Sequence, residues 1–434
     1  MSVDLRRALE AIAAADPVEV TGRVEALVGL AVHATVPGVR AGQVVEILRE
    51  GAPPLEGEVI GFEGDTATIL PLGDARGVGP GDPVRATGRP LCVTAGDALL
   101  GRVLDGLGRP LDGKPPPEGE PWPVLRPAPP PLSRARIERP IATGVRAIDG
   151  LTTFGEGQRI GLFAGSGAGK STLLGRIAKS ADADVVVVGL VGERGREVRE
   201  FLEDCLGDDG LARSVVVCAT SDAPALVRMR SAWVATALAE HFRDRGRRVL
   251  LLMDSVTRFA RAAREVGLAA GEPPARRGYP PSALAALPVL LERSGMAERG
   301  SITAVYTVLV EGGDLEEPIA DEVRGILDGH VVLDRELGAR GRWPAIDPLR
   351  SLSRVMDRLV TSAHRDAART LREHLAIYEA KRDLVLLGAY ERGSDRRLDA
   401  ALACIDRIEA FLRQAPEETS SFEETVRRLA AAVS

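Results

Sequence analysis

The chain has 434 residues and a formal net charge of −6, from 56 basic and 62 acidic side chains. That length accommodates two or three domains of roughly 150 residues each, and an apolar fraction of 45% excludes a disordered chain. The acidic excess argues against a protein devoted to neutralising nucleic-acid phosphates. Cys92, Cys205, Cys218 and Cys404 are scattered, with no C-x-x-C pair and no nearby histidines. This excludes a zinc site or a disulfide scaffold and points to a reducing compartment. No apolar run approaches the ~18 residues of a membrane span and the start lacks a signal-peptide core, so a cytoplasmic protein is expected.

Residues 5 to 14 carry Leu5, Leu9 and Ile12 at near-helical spacing, so an amphipathic helix is predicted over residues 1–16. It either packs on its own domain or docks a partner. From 17 to 90, short Val/Ile/Leu stretches such as V-E-V-T-G-R-V and Q-V-V-E-I-L are punctuated by Gly, Pro and Asp, the pattern of a small β-barrel. Eleven of the 29 prolines fall between Pro110 and Pro140, which reads as a stiff extended connection. Strand–helix alternation follows, with strands predicted at Arg159–Phe163, Asp184–Leu190, Ser214–Ala219, Val249–Met253, Ile302–Leu309 and Val331–Leu333. That alternation argues for an α/β core with a parallel sheet, spanning 91–350 with the Pro-rich connection included. From about Ser351 onward, segments such as L-R-E-H-L-A-I-Y-E-A and I-D-R-I-E-A-F-L predict a helical domain over 351–434.

The strand R-I-G-L-F runs into A-G-S-G-A-G-K-S, Ala164 to Ser171, and then into the apolar helix T-L-L-G-R-I-A. Strand, glycine-rich turn and helix start form the context a phosphate-binding loop requires. The loop Gly165, Ser166, Gly167, Ala168 and Gly169 offers backbone N–H groups to phosphates, and the helix beginning at Lys170, Ser171 and Thr172 adds its positive N-terminal end. Lys170 supplies a point charge to the β- and γ-phosphates, and the Ser171 hydroxyl is a Mg²⁺ ligand. Only four of the 56 basic residues are lysine, at 114, 170, 179 and 381, which makes Lys170 the more informative. Ala164 replaces the glycine that usually opens this pattern. The strand V-L-L-L-M-D ends at Asp254, whose carboxylate orients Mg²⁺ through its water shell; alone this is a weak signal, since many strands end in aspartate. The strand D-V-V-V-V-G-L-V ends at G-E-R-G-R-E, so Glu193 lies at the carboxyl end of a parallel strand, where it can polarise a water. The competing reading of Glu193 is a solvated loop glutamate.

F-A-G-S-G-A-G-K-S-T-L-L-G, V-G-E-R-G-R-E-V-R-E-F, M-D-S-V-T-R-F-A, R-R-G-Y-P-P-S, Y-T-V-L-V-E-G and L-D-G-H-V-V-L together resemble the type III secretion ATPases of flagellar export and of injectisomes, relatives of the catalytic β subunit of rotary ATP synthases. The resemblance runs from about residue 20 to the C-terminus. It implies an N-terminal β-barrel, a RecA-like ATPase core and a C-terminal helical domain, assembled as a homohexamer on the cytoplasmic face of the bacterial inner membrane and using ATP and Mg²⁺. In this family the phosphate loop often opens with alanine, as here. The family's catalytic glutamate falls on Glu193, and Arg194 beside it would contact the γ-phosphate or lock the glutamate. Arg354 matches an arginine finger that reaches the neighbouring subunit's site. Trp343 stands where relatives carry an adenine-stacking tyrosine. The implied partners are a coiled-coil central stalk, met by the basic loop Arg276–Pro281 in the pore, an export-gate membrane protein and chaperone–cargo complexes. A stator-like regulator would dock on the N-terminal helix. E-G-G-D at Glu311–Asp314 departs from the family's E-G-D-D.

Other classes fit less well. An RNA translocase on the same core needs aromatic platforms on its barrel, and residues 1–90 hold one aromatic, Phe62. A silent rotary subunit is disfavoured by Lys170, Ser171, Glu193 and Asp254. A rotary β subunit is disfavoured by the short N-terminus and R-G-Y-P-P-S. The expectation is an export ATPase, flagellar with the injectisome enzyme as alternative, with no specific nucleic-acid partner.

Overall fold

A computed structural model describes residues 21–165, 167–310 and 314–434. The predicted N-terminal helix with Leu5, Leu9 and Ile12, the loop residue Ser166, and Glu311 to Gly313 lie outside the described residues. The chain forms two compact units. One holds the described residues up to Cys92 with 224–227 and 265–273, and the other holds the rest.

In the first unit, strands β1 (Thr21–Val28), β2 (Ala31–Thr35), β3 (Gln43–Ile47), β4 (Leu55–Glu63), β5 (Thr66–Pro71) and β6 (Pro83–Pro90) close into a barrel in the order β1-β2-β5-β4-β3-β6. Every pairing is antiparallel, and β1·β2, β3·β4 and β4·β5 join strands consecutive in the chain. Closure removes the sheet edges, and Val32, Val45, Ile47, Val59, Ile69 and Val84 fill the interior.

The second unit is built on a nine-stranded sheet. Its main strands are β7 (Arg102–Asp105), β8 (Arg159–Ala164), β9 (Val185–Glu193), β10 (Ser214–Thr220), β11 (Arg248–Asp254), β12 (Ser301–Leu309), β13 (Gly329–Leu333) and β14 (Ile346–Ser353). They lie in the order β14-β13-β8-β12-β11-β9-β10-β7. All six predicted strands are present, and pairing from β13 to β7 is parallel. Both faces of a parallel sheet are covered, so its strands read as unbroken apolar runs rather than alternating ones. In β9 all nine residues, V-V-V-V-G-L-V-G-E, are buried. Each fully buried valine or leucine contributes roughly 1.5–3 kcal/mol of transfer free energy.

Sequence reading did not identify β7 or β14, which form the two ends of this order. The strand β14 is antiparallel to β13 and carries Pro348, which an edge strand tolerates because one side of its backbone has no partner. It also carries the sheet to Ser353, slightly past the predicted start of the helical part. The Pro-rich connection contributes a short strand, Glu120–Pro123, paired with Cys92–Ala95.

The C-terminal helices α6 (Ser362–Leu386), α7 (Arg396–Leu412) and α8 (Phe422–Val433) follow a sequence of earlier helices. Those named below are α1 (Arg146–Leu151), α2 (Lys170–Ser180), α3 (Gly195–Glu200), α4 (Val256–Ala269) and α5 (Arg335–Ala339). Leu371, Leu375, Cys404, Ile408 and Leu429 bury the helical seam. Thr361, Asp395 and Ser421 cap the three C-terminal helices, each side-chain oxygen accepting from a backbone N–H in the first turn. Ser421 with Glu424 three residues later has the spacing of a capping box.

Candidate functional site

The parallel strands β8, β9, β11 and β12 end on one edge of the sheet, which is where ligands bind in open α/β folds. At that edge lies a cleft of about 1120 Å³ lined by Gly165, Gly167, Gly169, Lys170, Ser171, Thr172, Glu193, Arg194 and Trp343, among others. Ala168 is buried beneath it. The loop from β8 to α2 turns through Gly167 and Gly169, with φ of 78° and 80°, a region that side chains with a Cβ rarely adopt. At Gly169 a Cβ would also come within 2.8 Å of the Trp343 ring. The loop therefore requires glycine both for its path and for the indole to approach.

Glu193 owes its position to a local irregularity. Between β9 and β10 the register runs Val191↔Ala219 and then Glu193↔Thr220, leaving Gly192 as a bulge with φ of 70°. A bulge re-aims the following side chain. A Cβ on Gly192 would lie 3.3 Å from Cδ of Arg258, so glycine also lets that arginine lie along the strand end.

Lys170 Nζ sits 2.6 Å from Asp254 Oδ1 and 3.5 Å from Glu193 Oε1. Thr307 on β12 donates its hydroxyl to Asp254 at 2.7 Å. Glu193 and Asp254 are each 4% exposed. Burial, and then the negative charge of Asp254, push the Glu193 carboxyl up to about 7, against the attraction of Lys170 and Arg258. Glu193 also shares a hydrogen bond with Glu197 on α3, which holds the Glu197 carboxyl below its ordinary value.

The guanidinium in contact with Glu193 is that of Arg258, in the first turn of α4, not that of Arg194. Arg258 places Nε 3.1 Å from Oε1 and donates through Nη2 to Oε2 at 3.1 Å. Arg194 lines the cleft at its rim, 71% exposed in its side chain, and pairs with Glu197 at 3.2 Å. Arg258 lies in the M-D-S-V-T-R-F motif, four residues after Asp254. That spacing puts it one helical turn beyond the strand end, and it was the available signal. Thr307 carried none, because a threonine inside an apolar strand reads as core.

Arg354 is exposed, does not line this cleft, and donates to the Arg324 carbonyl at 3.4 Å. Arg350, on β14 just before it, does line the cleft. In the Arg276–Pro281 loop, Arg276 lies 3.5 Å from Asp321, and Arg264 sits over the Tyr279 ring at 5.6 Å. Both contacts favour a packed path for that loop.

Glu193 and Asp254 meet at Lys170, beside the glycine-rich loop, and Ser171 lines the same cleft. Hydroxyl and carboxylate oxygens suit hard Mg²⁺, which keeps several waters and takes its remaining ligands from phosphates. The cluster already holds one cation, the Lys170 ammonium. The residues present therefore fit a Mg²⁺–nucleotide, with Ser171 and Asp254 as the groups that would hold the ion.

A parallel sheet with a glycine-rich loop, a lysine and two strand-end carboxylates defines a P-loop nucleotide-binding protein. The ATP synthase alpha/beta family matches through its nucleotide-binding domain at residues 144–353 and its beta-barrel domain at 18–88, and the T3SS EscN ATPase C-terminal domain matches at 360–431. The type 3 secretion system ATPase of Xanthomonas euvesicatoria is 54% identical over 410 residues, covering 94% of this chain and 93% of its own. The flagellum-specific ATP synthase of Bacillus subtilis is 50% identical over 411 residues, covering 94% of each chain. The assembled ATPase EscN from the type III secretion system of enteropathogenic E. coli superposes with a TM-score of 0.91 at 46% identity, over 95% of this chain and 100% of that one. The same ATPase in complex with its central stalk EscO superposes with a TM-score of 0.89 at 46% identity, over 95% of this chain and 100% of that one. The chain belongs to the type III secretion and flagellar export ATPases, a branch of the ATP synthase alpha/beta family.

Proposed function

We propose that this ATPase is Mg²⁺-dependent and energises protein export by the flagellar type III system. The observation that carries the chemistry is the convergence of Lys170, Glu193 and Asp254 at one sheet edge. When ATP binds, Lys170 exchanges its carboxylate partners for the β- and γ-phosphate oxygens and neutralises their charge. Backbone N–H groups of the Gly165–Gly169 loop cradle the same phosphates. Mg²⁺ held by Ser171 and Asp254 would supply neutralisation of phosphate charge. Glu193, clamped by Arg258, orients the attacking water and accepts its proton. Trp343 offers its exposed indole face to adenine, and Arg354 serves the site of a neighbouring subunit in a homohexamer.

Replacing Glu193 with glutamine tests this directly. It should leave ADP binding intact and lower hydrolysis by about 10²–10⁴-fold, whereas Lys170→Ala should weaken binding itself. Hydrolysis by Glu193→Gln at the wild-type rate would exclude Glu193 as the base.

The division into barrel (17–90), nucleotide-binding (91–350) and helical (351–434) domains is supported by the spans of the three family matches. Among the described residues no helix is long and apolar enough to cross a membrane. A peripheral place on the cytoplasmic face of the inner membrane, beside an export-gate protein and chaperone–cargo complexes, belongs to the same reading and is supported by the likeness to type 3 secretion system ATPases. A central stalk partner is supported by the complex of EscN with EscO. The injectisome is the second reading, favoured by the 54% identity to the Xanthomonas relative. Deleting the gene in its host decides between the two systems. The flagellar reading expects loss of filament export, and loss of needle-dependent secretion with intact swimming overturns it.

A further inference from the structure

Trp343 reaches the cleft on a chain segment held from outside the cleft. Its ring rests on two glycines, since a Cβ added to Gly169 or to Gly338 on α5 would come within 2.8 Å of it. These contacts limit how close the ring comes, but they do not pull it into place. The pull comes from the C-terminal helices. The Trp343 carbonyl accepts from the Gln414 N–H at 2.8 Å. The preceding residue, Arg342, is 4% exposed, and its guanidinium lies 3.3 Å from Glu409 on α7 and 3.7 Å from Glu379 on α6. Arg342 does not line the cleft, so any effect on the nucleotide passes through its neighbour.

The phosphate loop is anchored to the same C-terminal segment by a separate set of bonds. Arg176 on α2 donates to the carbonyls of Ala415 at 3.2 Å, Gly144 at 3.3 Å, and Glu418. Gln414 donates its side-chain amide to the carbonyls of Gly144 and Glu418, both at 2.9 Å. Residues 409–418 thus hold the phosphate wall through Arg176 and the Trp343 wall through Arg342 and the Gln414 backbone. Because the two anchors share no side chain, one can be released while the other stays.

We propose that Arg342, paired with Glu379 and Glu409, is a positioning residue that holds Trp343 at stacking height over the phosphate loop and so sets affinity for the base of the nucleotide. This rests on the reading of Trp343 as the base-stacking residue. The side chains of Glu379 and Glu409 are 29% and 22% exposed, so water can hydrate them when the guanidinium is removed. Release of Arg342 therefore removes the side-chain hold on the Trp343 segment, leaving only the Gln414 backbone bond, without stranding a fully buried charge.

The test compares a ligand that carries the base with one that does not. ADP and inorganic pyrophosphate are titrated, with Mg²⁺ present, into full-length wild type, Trp343→Ala, Arg342→Met, Arg342→Lys and the double variant Glu379→Gln/Glu409→Gln. Arg342→Met and the double variant should weaken ADP about tenfold, the scale of one base–aromatic stack, with pyrophosphate affinity unchanged. Arg342→Lys, which keeps the charge on a shorter side chain, should fall between. In ATP hydrolysis the loss should appear in KM rather than kcat. If Trp343→Ala keeps the wild-type ratio of ADP to pyrophosphate affinity, the stacking reading fails and the proposal with it. A ratio that falls in Trp343→Ala but stays at wild type in the Arg342 and glutamate variants overturns the positioning role alone. Equal losses for both ligands also overturn it, because they mean general damage to the site. Should Arg342→Met not fold, Arg342→Lys carries the decision.

Discussion

At the scale of single residues, the site turns on how one carboxylate is kept reactive. Glu193 sits on a bulge that only glycine at 192 permits, is almost wholly removed from water, and faces Lys170, Asp254, Glu197 and Arg258. Burial and Asp254 raise its carboxyl to about 7 from an ordinary 4.5, so the base-competent, ionised form dominates only above that pH. The sign follows: kcat/KM, which reports the free enzyme, should climb as pH rises through about 7 and be lost below it. Arg258 is a positive charge that favours the ionised form. Arg258→Ala should therefore shift the acid limb of the kcat/KM profile to higher pH, besides loosening the glutamate. An unmoved limb in a variant that still binds ADP would show that Arg258 has no electrostatic hold on Glu193. The identity of Glu193 was legible in sequence because it ends an apolar strand, whereas Arg258 as its partner was not. Its four-residue spacing from Asp254 was a hint of position, but which group it touches emerges once the strand end and the helix start are brought together.

At the scale of elements, the Pro-rich connection is fastened to the core rather than merely laid across it. Arg293 is fully buried and donates to Glu240 at 2.9 Å and to the Val124 carbonyl at 2.8 Å. Arg134 donates to the Ser294 carbonyl at 2.8 Å, and Arg126 pairs with Asp244 at 3.0 Å while covering the Trp122 ring. A segment poor in its own backbone N–H donors is held through its carbonyls by arginines of the core and through its own arginines to the core. Glu240→Leu leaves the Arg293 guanidinium buried without its counter-charge, so it should destabilise this unit by about 3–5 kcal/mol. Urea unfolding should show it, and Glu240→Leu with Arg293→Met should regain part of the loss. If the single variant unfolded at the wild-type midpoint, water would have to reach Arg293. Proline clustering made the extended path legible. The fastening was not, because its partners lie more than a hundred residues away in the chain.

At the scale of the molecule, Arg354 tests whether the working unit is an oligomer. It is exposed and lies outside the lining of its own cleft, as a residue serving a neighbour's site would be. A guanidinium supplied in trans adds charge stabilisation that no isolated subunit has. ATPase activity should rise more steeply than linearly with protein concentration. Arg354→Ala mixed with Glu193→Gln should recover part of the activity that each lacks alone, because some mixed interfaces pair an intact arginine with an intact glutamate. Verified mixed assemblies with no recovery would place Arg354 outside the neighbour's chemistry.

The sequence alone determined the features that local chemistry dictates. Short unbroken apolar runs of β-branched residues bounded by turn residues read as strands buried on both faces, a glycine-rich turn between strand and helix start reads as a phosphate-binding loop, and a break from β punctuation to helical spacing marks a change of architecture. The motif combination placed the chain in its family, and the matches to that family bear this out. The tertiary structure decided what depends on side chains that are distant in sequence. It gave Glu193 to Arg258 and Arg194 to Glu197, set the edge strands β7 and β14, and tied Trp343 to the C-terminal helices through Arg342 and Gln414. The reason is physical. Backbone conformation and burial leave a periodic trace along the chain, whereas an ion pair between residues far apart depends on how the elements pack and leaves none.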